Sequence, residues 1–351
     1  MKEFWSSRIQ NIIPYTPGEQ PKDRQFIKLN TNECPYPPSP KVLAAIRETA
    51  NDRLRLYPDP ECSELRRAIA RREGLKPEQV FCGNGSDEIL AFAFQAFFDP
   101  DREVVFPKIT YSFYPVYTDF FGLHRREVPM NPDFSDPIDL LCGRNGGVVL
   151  ANPNAPTGIA VGLDVVERIL RANPDVVVIV DEAYIDFGAD SAVGLIDRYP
   201  NLLVVQTVSK SRALAGLRVG WAMGNENLTA ALRCVRDSIN SYTLDRLAQA
   251  GAAAAIEDEE YFQTIRKQVM DTRAWTARAL VEKGFTVTPS QANFVFASHP
   301  ARTGRELLVG LRQRGILVRW WDRPEIENWL RISIGTQKEM EALVRTLDEL
   351  I

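Results

Sequence analysis

A lysine lies where an apolar stretch of the sequence ends, and lysines in such positions can act as nucleophiles. The stretch LVVQTVSKSRALAGLRVGW spans residues 203–221, with Lys210 directly after Ser209 and Arg218 eight positions further on. An amine that is partly desolvated at the end of a buried strand attacks carbonyl groups more readily than a hydrated ammonium. Arg218 could bind an anion nearby, because a guanidinium group presents a planar fork of donors. Each residue alone is more typical of an ordinary strand end.

Two acids follow another strongly apolar stretch. In the string IVDEAY, Asp181 and Glu182 come directly after the apolar residues. A carboxylate in a buried position is costly unless it is paired or hydrogen-bonded. It could simply reach solvent at the strand end, or it could face a cationic partner inside a pocket of low dielectric constant.

A glycine-rich turn precedes an amphipathic stretch. The string GNGSDE, residues 83–88, has two glycines that allow a tight turn before a helix. Free N–H groups at such a helix start can bind a phosphate. The dinucleotide fingerprint would need a third glycine where Glu88 stands, so a dinucleotide site is disfavoured. A glycine turn with a helix cap explains the isolated string equally well.

A loop rich in proline and asparagine forms a fourth candidate. The string NPNAPTG, residues 152–158, follows an apolar run and ends in glycine. Its prolines restrict the backbone, and its asparagines could donate to a ligand oxygen. A turn without any ligand is the alternative interpretation.

The elements that must position these motifs alternate between strand and helix patterns. Continuous apolar runs, several of them rich in valine, occupy residues 80–83, 103–107, 147–153, 176–184, 202–210 and 217–224. Such runs are typical of parallel strands buried on both faces, with helices crossing between them. Ligands of open sheets of this kind bind beyond the carboxyl ends of the strands. The sequence therefore predicts an α/β fold whose four motifs share one edge of a mostly parallel sheet.

The pattern changes after about Thr243. One or two long helices are predicted up to Gly284, followed by short strands and by helices that open with capping boxes at Thr303 and Thr336. We therefore predict three parts: an N-terminal arm of residues 1–40, a large domain of residues 41–245 and a small α+β domain of residues 246–351. The arm is expected to pack on the small domain or on a partner subunit.

Charge and hydropathy disfavour several classes of partner. The 351 residues carry a net charge of −4 with acids and bases mixed along the chain. Without a basic block, neither nucleic acid nor an anionic membrane is an expected partner. No apolar stretch approaches the ~20 residues of a membrane helix, and the N-terminal residues lack the apolar segment of a signal peptide.

Cysteine and histidine usage also constrains the chemistry. The five cysteines include no C-x-x-C pair, which favours free thiols and a cytoplasmic location. Only His124 and His299 are available, so a histidine-rich zinc site and serine–histidine catalysis are disfavoured. If the chain is an enzyme, a side chain other than histidine is expected to move protons.

Taken together, a lysine, a buried acid, a phosphate-binding turn and an amide-bearing loop are the parts that a pyridoxal phosphate site requires. The strings LNTNECPYPPSP, RLYPDPECSELRRAIA, GNGSDEIL, NPNAPTG, VDEAYIDF, VSKSRALAGLRVGWA, GILVRWW and LRISIGT occur in this order. In these motifs, over nearly its whole length, the chain resembles the fold-type I pyridoxal-phosphate-dependent aminotransferases, and among them most of all the histidinol-phosphate aminotransferases. The resemblance implies a large domain with a mostly parallel sheet flanked by helices, plus a smaller α+β domain.

The resemblance also implies roles around the cofactor ring. Lys210 would carry pyridoxal 5'-phosphate covalently, Asp181 would pair with its pyridinium nitrogen, and Tyr184 would hydrogen-bond its ring hydroxyl. Tyr111 would stack on the ring face.

One position departs from the pattern of the resembled family. That family usually has asparagine directly before Pro-Thr-Gly, whereas this chain has Ala155 there. Asn154, one residue earlier, would contact the ring hydroxyl only through a shift of the loop, and Tyr184 would carry more of that contact.

Further implied roles concern anions and a second subunit. The cofactor phosphate would bind to Gly85, Ser86, Asp87, Ser209 and Arg218. Tyr57 would reach the phosphate of a neighbouring subunit, which implies a homodimer. Arg331 would bind the substrate anion, with Arg319 and Tyr15 nearby.

The activity implied is transamination in histidine biosynthesis. L-Histidinol phosphate and 2-oxoglutarate would be converted to imidazole-acetol phosphate and glutamate with ping-pong kinetics. An aromatic or phenylalanine aminotransferase and a threonine-phosphate decarboxylase are alternatives with the same cofactor. A non-catalytic phosphate- or dinucleotide-binding domain is an alternative of another class.

Overall fold

The computed structural model describes residues 4–22 and 24–351. The strands are β1 (Ile27–Leu29), β2 (Val80–Gly83), β3 (Val104–Pro107), β4 (Arg125–Val128), β5 (Gly147–Ala151), β6 (Val178–Asp181), β7 (Leu202–Thr207), β8 (Gly220–Gly224), β9 (Thr286–Val287), β10 (Phe294–Ser298), β11 (Ile316–Val318) and β12 (Trp329–Ser333). The helices are α1 (Ser7–Gln10), α2 (Pro40–Thr49), α3 (Ser63–Glu73), α4 (Gly85–Phe97), α5 (Tyr114–Phe121), α6 (Ile138–Leu141), α7 (Leu163–Ala172), α8 (Glu226–Ile239), α9 (Arg246–Glu257), α10 (Glu259–Glu282), α11 (Gly304–Gln313) and α12 (Gln337–Asp348).

The large sheet confirms the predicted α/β class. Within the described residues it has seven strands in the order β2-β8-β7-β6-β5-β3-β4. Neighbours from β7 through β4 pair in parallel, whereas β8 is antiparallel to both β7 and β2. Strand β8 is reversed because the chain between β7 and β8 contains only a short 3-10 turn, Ala215–Leu217, and no helical crossover. The segment between β7 and β8 carries Lys210 and Arg218.

Both faces of the large sheet are buried, which explains its continuous apolar strands. In β5, Val148 and Leu150 face one apolar cluster, while Val149 faces the other. Helices α3, α7 and α9 contribute to the first cluster, and α4, α5 and α8 contribute to the second. Successive side chains of a strand point to opposite faces, so nearly every position of such a strand is apolar except at its end.

Strand β4 was not predicted from the sequence. Its residues RREV are mostly charged and only partly buried, and the strand lies at the edge of the sheet. An edge strand is half solvated and tolerates charged side chains, so it lacks the apolar run that marks the central strands.

The C-terminal third follows the predicted pattern of long helices and short strands. Helices α9 and α10 lead to Gly284, whose φ of +84° is a backbone conformation that glycine adopts readily. Both predicted capping boxes are present, Thr303 with Glu306 and Thr336 with Glu339. Strands β9, β10 and β12 form an antiparallel sheet in the order β12-β10-β9.

The N-terminal segment contacts this C-terminal part. Strand β1 pairs in parallel with β11, and the Arg24 guanidinium donates to the carbonyl of Arg312. These contacts join the predicted arm to the predicted small domain, while the two boundaries between the three parts stay predictions. Met1 to Glu3 and Asp23 of the predicted arm lie outside the described residues.

No helix within residues 4–22 and 24–351 has both the length and the apolar character needed to cross a bilayer. The same residues contain no group of three or more histidine, cysteine or acidic side chains placed to hold a metal ion. The five cysteines are free thiols in the structure.

An isolated buried acid gives a stability prediction. Burial raises the pKa of Asp136 to about 7, and its Oδ1 has no hydrogen-bond partner among the described residues. The folded chain therefore holds this proton more tightly than the unfolded chain, so stability falls as pH rises from about 4 through 7. We expect Asp136→Asn to stabilise the protein at pH 8.5 by up to about 4 kcal/mol. Thermal melts at pH 5.5, 7 and 8.5 measure the effect.

Asp133→Asn is the matched control, because Asp133 is exposed on the same loop and accepts hydrogen bonds from Ser135. It should not stabilise the protein at high pH. A melting difference between Asp136→Asn and the wild type that stays constant from pH 5.5 to 8.5 would contradict the assignment.

Candidate active site

A cavity of about 320 Å³ lies beyond the carboxyl ends of the central strands. Its lining includes Ala151, Asp181 and Thr207, which are the last residues of β5, β6 and β7. The N-terminal segment and the segment from the end of β11 through β12 complete the lining, and we call this part of the cavity the far wall. The residues predicted for the site that line this cavity are Tyr15, Ser86, Asp87, Tyr111, Asp181, Tyr184, Ser209, Lys210, Arg218, Arg319 and Arg331.

Asp181 is a buried acid without an ion-pair partner among the described residues. The Tyr114 hydroxyl donates to its Oδ2 at 2.7 Å, and the Ala183 N–H donates to its Oδ1 at 3.2 Å. Burial raises the pKa of Asp181 to about 6, and the hydrogen bonds from Tyr114 and Ala183 lower it again in part. The carboxylate is thus held in place but is not neutralised, so it can accept a cationic donor.

Lys210 lies in the turn that links β7 to β8. Its Nζ is 3.4 Å from the carbonyl oxygen of Thr31 and 5.8 Å from the centroid of the Tyr184 ring. The turn is fixed by Thr207, whose Oγ1 donates to the Val219 carbonyl at 3.0 Å. The lysine amine therefore projects into the cavity without being bound to a carboxylate.

The start of α4 and Arg218 form a concave, donor-rich surface. Gly85 has a φ of +80°, and a Cβ at this position would lie 2.6 Å from Arg218 Nη2. A Cβ on Gly220 would lie 2.5 Å from the Ser86 backbone nitrogen. Gly85 therefore lets the guanidinium approach the helix start, and Gly220 lets strand β8 lie against the backbone of that helix start. Asp87 Oδ2 accepts from Arg218 Nη2 at 3.0 Å, which orients the arginine.

Two tyrosines form walls of the cavity between these groups. The Tyr111 hydroxyl donates to Asp87 Oδ1 at 2.7 Å, and burial raises the pKa of Tyr111 far above its usual value. The Tyr184 hydroxyl accepts from Asn32 Nδ2 at 3.0 Å. Each ring is thereby fixed at its hydroxyl end and presents its body to the cavity.

Arg319 and Arg331 lie side by side at the far wall. Their backbones exchange two hydrogen bonds of 3.0 and 2.9 Å. Arg331 Nη2 donates to the Asn30 carbonyl at 2.9 Å, while its Nε is buried without a partner in the described part of the chain. Burial lowers the pKa of Arg331, with a smaller contribution in the same direction from Arg319. This buried guanidinium can accommodate a bound anion.

Asn154 requires a correction, because it does not line the cavity. Its Nδ2 donates to the Ile109 carbonyl at 2.9 Å and to Thr157 Oγ1 at 3.2 Å, and its Oδ1 accepts from Thr110 Oγ1 at 2.8 Å. The amide hydrogens are thus used within the loop packing. Ala155 lines the cavity instead, so the shift of the loop that the prediction needed is not present.

Tyr57 also does not line this cavity. It is 77% exposed and stacks on Tyr242, with ring centroids 4.6 Å apart. Gly85 does not line the cavity, and its contribution is the close approach to Arg218.

Sequence reasoning missed three residues that hold the site together. Tyr114 bonds Asp181, Asn32 bonds Tyr184, and Glu33 lines the cavity with Lys28 Nζ 2.6 Å from its Oε2. Asn32 and Glu33 belong to the quoted string LNTNECPYPPSP, which gave no indication of their partners. Tyr114 is the first residue of α5 and precedes Pro115. The sequence around it is the same as for an aromatic residue that only packs in the core, so it gave no indication of the bond to Asp181.

Comparisons with known proteins agree with this architecture. The family model for aminotransferase class I and II matches residues 24–347. Histidinol-phosphate aminotransferase 1 of Pseudomonas fluorescens is 52% identical over 350 residues, with all of both chains covered. Histidinol-phosphate aminotransferase of Clostridium acetobutylicum is 52% identical over 351 residues, again with complete coverage.

A solved structure supports the same relationship. The crystal structure of histidinol-phosphate aminotransferase from Sinorhizobium meliloti in complex with pyridoxal-5'-phosphate superposes with a TM-score of 0.85 and 27% identity. The match covers 93% of this chain and 91% of that chain. The chain therefore belongs to the class I and II aminotransferase family, among the histidinol-phosphate aminotransferases.

Proposed function

We propose that this protein is a pyridoxal-phosphate-dependent transaminase that converts L-histidinol phosphate and 2-oxoglutarate to imidazole-acetol phosphate and glutamate. The observation that carries the proposal is the convergence of Lys210, Asp181 and Arg218 on one cavity whose far wall holds two arginines. The substrate is taken from the relatives, which carry the name histidinol-phosphate aminotransferase at 52% identity.

The residues of the cavity fit the cofactor. Asp181 is a buried carboxylate that has two hydrogen bonds but no cation, which suits a protonated ring nitrogen. Gly85 leaves the Arg218 guanidinium accessible beside the start of α4, which suits a phosphate. Tyr111 supplies a fixed aromatic wall, and Lys210 supplies an amine for covalent attachment.

Bound pyridoxal phosphate supplies an electron sink that makes the substrate Cα–H bond acidic. Asp181 would hold a proton on the ring nitrogen through its carboxylate oxygens, and Tyr114 keeps that carboxylate in place. The Lys210 amine, released when the substrate amine replaces it on the cofactor, would take the proton from the substrate Cα and deliver it to the cofactor carbon that bears the substrate nitrogen, which requires no histidine. The Tyr184 hydroxyl, held by Asn32, orients the ring hydroxyl.

Arg331 and Arg319 are proposed to bind the anionic end of both substrates. Histidinol phosphate presents a phosphate, whereas glutamate presents carboxylates, and a guanidinium fork can bond either group. No carboxylate of the described residues lies within ion-pair distance of these two arginines, so their charge is available to a substrate.

We expect Arg331→Ala to lower kcat/KM for both half-reactions about 10- to 100-fold, because a charged hydrogen-bond pair is lost. Arg331→Lys keeps the charge but loses the fork, and it should fall between the alanine variant and the wild type. Single-turnover kinetics with histidinol phosphate and with glutamate measure both effects. Arg323→Ala is the control, since Arg323 bonds the Lys108 carbonyl outside the cavity lining. If Arg331→Ala showed the same kinetics as the wild type with both substrates, this arginine would lie outside the substrate site.

A donor survey tests the proposed reaction directly. Purified holoenzyme is mixed with 2-oxoglutarate and, in separate reactions, with histidinol phosphate, phenylalanine or threonine phosphate. Glutamate formation is expected to be most efficient with histidinol phosphate. Higher kcat/KM with phenylalanine would assign the protein to the aromatic aminotransferases. Carbon dioxide release from threonine phosphate without 2-oxoglutarate would assign it to the decarboxylases, and inactivity with all donors would contradict the enzyme assignment.

We further propose that the protein is a cytoplasmic homodimer. Tyr57 is exposed and does not line the cavity of its own chain, which suits a tyrosine that reaches the cofactor phosphate of a second subunit. Leu54 and Leu56 beside it are also exposed apolar side chains that a partner could cover. Sedimentation analysis of the wild type and of Tyr57→Ala measures whether each protein forms dimers. The affinity of both proteins for the cofactor tests the proposed contact between Tyr57 and the cofactor phosphate.

A further inference from the structure

The two arginines at the far wall share one aromatic neighbour. The Cζ atom of Arg319 lies 5.5 Å from the Trp321 ring centroid, and that of Arg331 lies 5.3 Å from it. Trp321 contacts both guanidinium groups but does not itself line the cavity.

Two guanidinium groups held next to each other repel, and this repulsion must be offset. Elsewhere in the chain arginines are commonly paired with acids, as Arg236 is with Glu61. Here the polar partners are instead backbone carbonyls, Asn30 for Arg331 and Thr16 for Arg319. Carbonyl oxygens carry no net charge, so they orient the arginines without neutralising them.

An aromatic face attracts cations in the same way. The negative face of an indole stabilises a nearby guanidinium by a cation–π interaction, and tryptophan is the strongest side chain for this. A carboxylate at the same place would bind the arginines more strongly, but it would compete with the substrate anion. The indole holds both side chains and leaves their two positive charges for a ligand.

Trp321 is itself held in place by packing. It contacts the apolar cluster of Ile109, Phe296 and Ile326, in which Ile109 precedes the Tyr111 segment and Ile326 follows in the same loop. The neighbouring Trp320 belongs to a different environment. Its Nε1 donates to the Glu327 carbonyl at 2.7 Å, and it packs on the cluster around α11 and β11.

We propose that Trp321 is a positioning residue that holds Arg319 and Arg331 together as an un-neutralised pair and thereby favours a dianionic phosphate over a single carboxylate. The inference rests on the proposed function, in which these arginines bind the substrate anion. It adds a residue outside the cavity that sets the preference between the two substrates.

The test uses cofactor-loaded protein, so that the cofactor already fills its own phosphate site. Inorganic phosphate and acetate are titrated by calorimetry into the wild type, Trp321→Leu, Trp321→Phe and Trp320→Leu. Trp321→Leu is expected to weaken phosphate binding about tenfold, and acetate binding less, because two cation–π contacts are lost. Trp321→Phe keeps an aromatic face and should recover most of the affinity. Trp320→Leu should bind phosphate like the wild type.

Steady-state kinetics supply a second measurement that a merely structural role would not reproduce. Trp321→Leu should raise KM for histidinol phosphate about tenfold while kcat stays within about twofold of the wild type. KM for glutamate should rise less. A variant that was only less well folded would lower kcat for both substrates in parallel, and thermal melts identify such a loss.

The outcomes separate this inference from the proposed function. Unchanged phosphate binding in Trp321→Leu overturns the inference alone, provided that the wild type binds phosphate and transaminates histidinol phosphate. Equal losses in Trp321→Phe and Trp321→Leu would also overturn it, because the aromatic face would then not matter. If the wild type neither bound phosphate nor used histidinol phosphate, both the inference and the proposed function would be contradicted.

Discussion

Replacing Lys210 with alanine is expected to abolish covalent cofactor attachment and to lower the transamination rate by at least about 10⁴-fold. The loss should be this large because one amine serves two purposes, as the attachment point and as the base at the substrate Cα. The structure places this amine in the cavity without a carboxylate partner, 3.4 Å from the Thr31 carbonyl. Borohydride reduction followed by peptide mass analysis measures attachment, and single-turnover kinetics measure the rate.

Lys210→Arg is the matched control, because it keeps a cation at this position but cannot form the covalent link. It should bind the cofactor without attachment and should be as inactive as the alanine variant. Small primary amines added to Lys210→Ala should restore part of the proton transfer, since they can enter the space left by the side chain. Near-normal turnover in Lys210→Ala, or attachment of the cofactor to another lysine, would refute the assignment.

Asp181→Asn is expected to separate activity from stability. An amide cannot hold the proton on the ring nitrogen as a carboxylate does, so kcat should fall about 10²- to 10³-fold. The cofactor-free variant should nevertheless be more stable than the cofactor-free wild type at pH 8. Burial raises the pKa of Asp181 to about 6, so the stability of the wild type falls as pH rises from about 4 through 6. The gain at pH 8 should be up to about 3 kcal/mol.

Thermal melts of the cofactor-free proteins at pH 5 and 8 measure the stability difference, which should be smaller at pH 5. Glu182→Gln is the matched control, because Glu182 is the adjacent buried acid but does not line the cavity. Its carboxylate accepts hydrogen bonds from Ser191, Ala192 and Gln206 within the protein. Because burial raises the pKa of Glu182 to about 7, this variant should also gain stability at pH 8, but it should keep its activity per bound cofactor. Full activity of Asp181→Asn would contradict the proposed contact between Asp181 and the ring nitrogen.

Much of the fold was determined by local sequence patterns. Strand β5 and the first four residues of β7 are buried on both faces, so each is a continuous apolar run that is recognisable in the sequence. The capping boxes at Thr303 and Thr336 involve residues three positions apart, and such local hydrogen bonds depend little on the rest of the fold. The location of Lys210, Asp181 and the glycine turn at strand ends followed from the same patterns.

Other features were decided by the tertiary structure. The reversal of β8 and the edge strand β4 depend on which strands pair, and pairing joins residues that are distant in sequence. The orientation of Asn154 depends on Ile109 and Thr110, more than 40 positions away, which take up its amide.

The hydrogen-bond partners of the proposed catalytic groups also come from distant segments. Tyr114 reaches Asp181 across 67 positions, and Asn32 reaches Tyr184 across 152. Trp321 is close to Arg319 and Arg331 in the sequence, but only the pairing of their backbones brings both guanidinium groups to one indole. Sequence patterns report whether a side chain is buried and in which element it lies, because both are local properties. Hydrogen bonds and charge contacts between elements depend on how the elements pack, so they were visible only in the folded chain.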